Sequence, residues 1–290
     1  MFTMHAFALT CLVLSLFSTS LASPVLTSRT ISSTLYDDLV RYTQYSSAAY
    51  QLLCPSPLGT TLVQSFNSGD VTQGFISRDD ERKEIVVSFR GTFSLSDVAT
   101  DVDLFLVPFV SPGLDQSFSV HAGFLAAYND VADIVLSTVK AQVAEFSSYS
   151  VVVTGHSLGG AIAALGGVSI KTAFPNVAMK LYTFGQPRTG DAKWAAFAES
   201  TIGSSNIFRG VHTFDGVPTI IPRALGYEHH STEYWQFEDP VLLTSPPTTV
   251  KQCSGEEDPT CSDSIPSTGI NAAHVYYFGQ VMAVDPLLCA

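Results

Sequence analysis

The feature that most constrains this chain is Gly155-His156-Ser157-Leu158-Gly159, which stands between the run Val151-Val152-Val153 and the small-residue stretch Ala161-Ile162-Ala163-Ala164-Leu165. A β-branched run followed by an alanine-rich segment predicts a strand feeding a helix. Glycines on both sides of Ser157 permit the sharp turn between the two elements. A turn of this kind stands the serine hydroxyl above the end of a sheet, at a helix N-terminus whose free N–H groups favour negative charge. Ser157 is therefore the candidate nucleophile.

A serine hydroxyl needs a base to take its proton and an acid group to orient that base. On an elbow of this type the three follow in the order serine, acid, histidine. Asp215 follows the β-rich run 207–211 and opens a Gly216-Val217-Pro218 turn, which places it at a strand end. Asp191 and Asp239 are less well placed. His274 lies downstream of that acid, near the C-terminus, and is the one histidine in that slot. His121, His212, His229 and His230 precede that slot, or the acid itself, and read as structural hydrogen-bonding residues, while His156 reads as local packing beside the elbow. The developing oxyanion needs preorganised donors, and the backbone N–H of Leu158 is the first. The second candidate is Thr92, at the glycine-containing end of the strand 84–89.

With 46% hydrophobic and 14% charged residues, the 290-residue chain has ample apolar material for one large core, which excludes a disordered polymer. Lys and Arg number 14 against 26 Asp and Glu, a net charge of −12. That balance repels phosphate backbones, so no nucleic-acid partner is expected, and contact with a lipid surface would rest on exposed apolar side chains. An apolar run from Ala6 to Phe17 followed by Ser20-Leu21-Ala22 reads as a signal peptide over residues 1–22, leaving one domain over 23–290 in an extracellular setting. The run is shorter than the roughly 20 residues a spanning helix needs, so no transmembrane segment is expected.

Loss of the leader removes Cys11 and leaves Cys54, Cys253, Cys261 and Cys289, an even set for an oxidising compartment. Three connectivities are open. Cys253 and Cys261 are near enough in sequence to close a small loop, which would leave Cys54 for Cys289. No cysteine or histidine cluster has metal-ligand spacing, so neither metal nor organic cofactor is expected.

Apolar positions at Leu35, Leu39, Tyr42, Tyr45 and Ala49 predict a helix over 33–50, with Ser32 or Ser33 as cap. Runs at 61–66, 71–77 and 84–89 separated by polar turns predict an antiparallel start to a sheet. Further on, strands at 151–153, 181–184 and 207–211 alternate with helical stretches, which predicts a mostly parallel sheet with functional groups at the strand C-terminal ends. Residues 244–268, rich in Pro, Ser and Thr, read as a long surface loop held by the Cys253/Cys261 pair.

Five motifs in order, Phe89-Arg90-Gly91-Thr92, Val120-His121-Ala122-Gly123-Phe124, Gly155-His156-Ser157-Leu158-Gly159-Gly160, Phe184-Gly185-Gln186-Pro187-Arg188 and Glu233-Tyr234-Trp235, make the chain resemble the fungal class 3 lipases. The resemblance spans nearly the whole mature chain. It implies an α/β-hydrolase fold, mostly parallel with flanking helices and a short lid helix, and hydrolysis of acylglycerol esters by an acyl-enzyme on Ser157. It implies Asp215 and His274 as acid and base, Thr92 and Leu158 as oxyanion donors, and disulfides Cys54–Cys289 and Cys253–Cys261. The lid would follow the Arg-Gly-Thr motif, where Leu95, Val98 and Val102 recur at three and four and would form an apolar face turned onto a lipid–water interface. The expected partner is an ester substrate, and the expected state is a monomer. Two departures stand out: Val98 sits near the place of the tryptophan common in such lids, and Thr189-Gly190-Asp191 follows Arg188. Alternatives are a feruloyl esterase or general carboxylesterase, whose motifs are nearly the same, and a non-catalytic binding protein on the same fold.

Overall fold

The structure, a computed structural model, describes residues 30–69, 72–92, 104–241 and 244–290. The expected leader 1–22 and the lid positions Leu95, Val98 and Val102 lie outside the described residues.

The first element, α1 (Ser33–Ala48), starts where Ser32 Oγ accepts the N–H of Leu35 at 3.1 Å. Its stripe of Tyr36, Leu39, Tyr42 and Tyr45 is buried. Then come β1 (Thr61–Ser68), β2 (Thr72–Asp79) and β3 (Glu84–Phe89), paired antiparallel as the alternation and turns predict. A hairpin of β4 (Leu106–Ser111) and β5 (Leu114–His121) leads into α2 (Ala122–Glu145). After it the alternation runs β6 (Ser150–His156), α3 (Leu158–Ala173), β7 (Met179–Phe184), β8 (Gly190–Asp191), α4 (Ala192–Ile202) and β9 (Ile207–His212). Short strands β10 (Tyr227–Glu228), β11 (Glu233–Gln236), β12 (Val250–Gln252), β13 (Tyr276–Tyr277) and β14 (Gln280–Val281) complete the chain.

The main sheet has the order β1-β2-β3-β6-β7-β9-β11-β12, with β3, β6, β7, β9 and β11 parallel and both edges antiparallel. This is the α/β-hydrolase architecture. Its central strands are apolar on both faces because both faces are covered. Ile85, Val87, Phe89, Val151, Val153, Leu181 and Ile207 point into a core shared with α2 and α3. Val86, Val152, Tyr182 and Phe208 point the other way, under α1 and the C-terminal segment. On that second face Tyr42 stacks on Tyr182 with ring centroids 4.2 Å apart, and its hydroxyl donates to Glu84 at 2.8 Å.

Two features differ from the sequence reading. A second sheet of order β10-β8-β5-β4 forms beside the first, its inward residues Phe109, Leu114, Phe118 and Val120 joining the larger core. Its strands are two to eight residues long and assemble from distant segments, so local periodicity carries little trace of it. Residues 244–268 are more than a surface loop: Val250–Gln252 pairs antiparallel with β11 as the sheet's edge strand, because β11 supplies hydrogen bonds that composition does not advertise. The cysteines join as Cys54–Cys289 and Cys253–Cys261.

Candidate active site

The parallel strands deliver Ser157, Gly185 and Asp215 to one edge of the sheet, beyond the C-terminal ends of β6, β7 and β9. Ser157 sits between β6 and α3 with φ 59° and ψ −128°, a conformation that costs an L-residue energy and persists only when its neighbours over-determine it. The neighbours here are glycines. A Cβ on Gly155 would strike the carbonyl of Gly159, and one on Gly159 would strike the backbone of Phe89 and Arg90. The elbow and the end of β3 thus pack backbone against backbone, which brings the Arg90-Gly91-Thr92 turn alongside Ser157. Gly91 completes the fit, since a side chain there would meet the Tyr50 hydroxyl and the His156 carbonyl.

His274, on a 3-10 turn over Ala272–Val275, places Nε2 2.8 Å from Ser157 Oγ and Nδ1 2.8 Å from Asp215 Oδ2. Ser157 and His274 are both wholly buried, and Asp215 nearly so. The carboxylate is held at both oxygens: Oδ1 accepts the Val217 N–H at 2.9 Å, and Oδ2 also accepts the Tyr277 hydroxyl. Burial, followed by the charge of Asp215, pushes the Tyr277 phenol well above its ordinary value, so it stays a donor. Leu158 is the first residue of α3, where a helix leaves its N–H groups without intrahelical acceptors. Thr92 lines a cavity with His156 and Tyr50 at the same edge of the sheet.

Several residues here were given no part in the catalytic site by the sequence reading. His156 Nε2 lies 2.7 Å from the backbone carbonyl of His274; a carbonyl only accepts, so Nε2 carries the proton. Its Nδ1 then accepts from the Tyr50 hydroxyl at 2.7 Å. Burial and the neighbouring His274 push His156 well below the ordinary imidazole value, which keeps it neutral in this relay. From the end of β9, His212 Nδ1 donates to the adjacent carbonyl of Ala273 at 2.9 Å, and its Nε2 faces Asp239 at 3.1 Å. Two histidines therefore hold consecutive carbonyls of the turn that carries His274. Gly185, with φ 57°, lies beneath the same turn, where a Cβ would press on the Tyr277 hydroxyl, the His274 ring and Asp215. A glycine before a polar segment was the available signal, but nothing local said what it must clear.

Among the described residues, His121, His229, His230 and Asp191 act as supports. His121 Nδ1 accepts the N–H groups of Gly123 and Phe124 at the start of α2. Asp191 caps α4 by accepting the Trp194 N–H at 2.8 Å. His229 donates to the Pro218 carbonyl at 2.8 Å, and His230 lies 3.1 Å from the Gln186 amide. Arg188 grips Glu257 with two bonds of 2.7 and 2.8 Å, tying the loop after β7 to the small disulfide loop. Burial raises the Glu257 carboxyl, but the Arg188 guanidinium and further hydrogen bonds outweigh it and hold the group below the usual carboxylate range. The arrangement as a whole is a hydroxyl, an imidazole and a carboxylate in series beside a helix N-terminus, which is what acyl transfer requires.

Comparison with known proteins agrees with this chemistry. The profile of the family described as Lipase (class 3) matches residues 86–225. The chain is 30% identical to the secreted mono- and diacylglycerol lipase A of Penicillium cyclopium, over 89% of each chain. It is 29% identical to the secreted alkaline triacylglycerol lipase of the same organism, over 92% of this chain and 93% of that one. Among solved structures, the lipase of Rhizopus microsporus var. chinensis superposes with a TM-score of 0.77 at 33% identity, covering 87% of this chain and 90% of its own. With strand order, elbow and sequence in agreement, the chain belongs to the class 3 lipase family and is an ester hydrolase.

Proposed function

We propose that this protein is a secreted lipase that cleaves acylglycerol esters through an acyl-enzyme on Ser157, with residues 1–22 as its leader and 23–290 as one catalytic domain. The observation that carries the reading is the pair of 2.8 Å contacts linking Ser157 Oγ, His274 and Asp215. His274 Nε2 takes the hydroxyl proton as Oγ attacks the ester carbonyl, and the N–H groups of Thr92 and Leu158 receive the oxyanion. Asp215 holds Nδ1 and balances the imidazolium charge. The imidazolium then protonates the departing alcohol, and a water molecule, activated by the same base, releases the fatty acid.

The names of the two Penicillium relatives support both the glyceride substrate and secretion. Among the described residues no helix is long and apolar enough to cross a membrane. Leu95, Val98 and Val102 are proposed as the apolar face of a lid over the buried Ser157.

The test is a fluorophosphonate label followed by rates on emulsified long-chain triglyceride, a soluble short-chain ester and methyl ferulate. The reading expects label on Ser157, a rate that rises once the triglyceride forms an interface, and loss of both in Ser157→Ala. Preference for methyl ferulate would transfer the chain to the esterase alternative, and an active Ser157→Ala protein would remove the nucleophile assignment.

A further inference from the structure

Asp239 is an acid that chain order sets aside in favour of Asp215, and the structure gives it a histidine of its own. Its Oδ1 lies 3.1 Å from His212 Nε2, while His212 Nδ1 lies 2.9 Å from the carbonyl of Ala273, the residue before His274. The histidine side chain is 5% exposed and that of Asp239 51% exposed, so the pair runs from the surface to the turn that carries the base. A carbonyl and a carboxylate only accept, so both bonds form together when both ring nitrogens carry protons. The bond to Ala273 is then charge-assisted and stronger than one from a neutral ring, with Asp239 balancing the charge.

His212 also reaches the acid. Its backbone carbonyl accepts the Asp215 N–H at 2.9 Å, so one residue joins the turn that carries the acid to the turn that carries the base. Its ring is confined by Tyr276 and Tyr277, with centroids 5.5 and 5.7 Å away. The strand that leads to Asp239 is fastened to the same region: Trp235 Nε1 donates to the Thr213 carbonyl at 2.9 Å, and Gln236 Oε1 accepts the Phe278 N–H at 3.0 Å. Asp239 therefore meets His212 from a fixed support.

We propose that Asp239 and His212 form a second histidine–carboxylate pair behind the triad. His212 is a positioning residue for His274, and Asp239 sets how firmly it holds the Ala273 carbonyl. The proposal rests on Ser157, His274 and Asp215 as the reacting set and adds the residues that orient the base from outside it. The His274 ring must meet Ser157 Oγ and later the leaving alcohol, and it loses rate when its backbone support loosens by a fraction of an ångström. Neither member of the pair bonds to Ser157, so the effect belongs in kcat and not in KM.

The test measures kcat and KM on a soluble short-chain ester, with active protein counted by complete fluorophosphonate labelling. Asp239→Ala should lower kcat by about threefold to tenfold with KM unchanged. Its melting temperature should stay within about two degrees, since the side chain is half exposed. Asp239→Asn, which keeps the size and removes the charge, should lower kcat in the same direction, and Asp239→Glu should restore it to within about twofold. In His212→Asn the shorter amide can still donate to Ala273 but no longer reaches Asp239, so adding Asp239→Ala to it should change kcat by less than about 1.5-fold. An unchanged kcat in Asp239→Ala, a rise in KM alone, or additive effects in the double variant would each overturn the proposal, and the Asp239 variants decide it even where His212→Asn does not fold. Label found elsewhere than on Ser157 in the unaltered protein would instead overturn the triad on which the proposal rests, so the two failures give different results.

Discussion

Ser157 and His274 meet at 2.8 Å, yet the two sides of that contact are built by different physics. The serine side is regular and steric: strand, elbow and helix, with glycines at 155 and 159 allowing backbones to touch. The histidine side is irregular and polar. His274 rides a four-residue 3-10 turn, positioned by hydrogen bonds from His156 and His212 and by the Asp215–Tyr277 pair. A steric site fails by misfolding when it is altered, whereas a polar site loses orientation while the fold survives.

Asp215→Asn is expected to show the largest effect, because an amide that presents the wrong partner to Nδ1 leaves His274 misoriented. The equivalent exchange in serine proteases lowers turnover by roughly 10⁴. Steady-state kcat should fall on that scale while the melting temperature stays within a few degrees; loss of the folded protein would erase the contrast between the two sides. On the serine side Gly155→Val should do the reverse. With a Cβ driven into the Gly159 carbonyl, the expected destabilisation exceeds about 4 kcal/mol, read as insoluble or unfolded protein by circular dichroism.

Acid sharpens the comparison. Burial, then the nearby Arg209, pushes His230 down to about 4, and burial likewise lowers His156 and His229. Each is neutral in the fold and takes a proton on unfolding below about 6.5. The unfolded state thus binds more protons, so stability is full above pH 6.5 and is lost as pH falls toward 4. For His230 the loss across that window is roughly 3 kcal/mol. A proton on its Nε2 would also confront the Gln186 amide, next to Gly185. Melting temperature measured from pH 8 to 4 should decline, and His230→Asn should flatten the decline; an unchanged slope would show that this histidine is not the titrating group. The smallest effect belongs to Tyr277→Phe, which removes one of the bonds holding Asp215. A drop in kcat of about five- to tenfold with KM unchanged is expected, and an equal rise in KM would mean that the tyrosine shapes substrate binding instead.

The contrast also explains which parts of the site were legible in the sequence. The elbow announces itself because its signals are contiguous: Val151-Val152-Val153, the glycines and the alanine-rich helix lie within fifteen residues. Asp215 and His274 were chosen by chain order and turn chemistry, and the structure sets them in hydrogen-bonding contact. Tyr277 gave no such indication, and Gly185 appeared only as a motif glycine at a strand end. Their importance comes from meeting Asp215 across gaps of 62 and 30 residues, and no local pattern encodes a contact at that range. His156 was read as packing; it is instead a donor to the very turn that carries His274. The edge strand within 244–268 was hidden for a related reason, since three residues become a strand only when a neighbour offers its hydrogen-bonding edge.

What the sequence by itself determined is the set of local elements and their order: a capped helix at 33, an antiparallel beginning, a strand–helix alternation and a serine on a glycine-flanked turn. These follow from side-chain periodicity and backbone sterics, which act over a few residues. Only the tertiary structure decided which histidines clamp the His274 turn, which oxygen of Asp215 is shared, that Arg188 grips Glu257, and that an apolar cavity opens beside Thr92. Hydrogen bonds and cavities depend on ångström-scale separations between residues far apart in sequence, and those separations exist only after the sheet has closed its order.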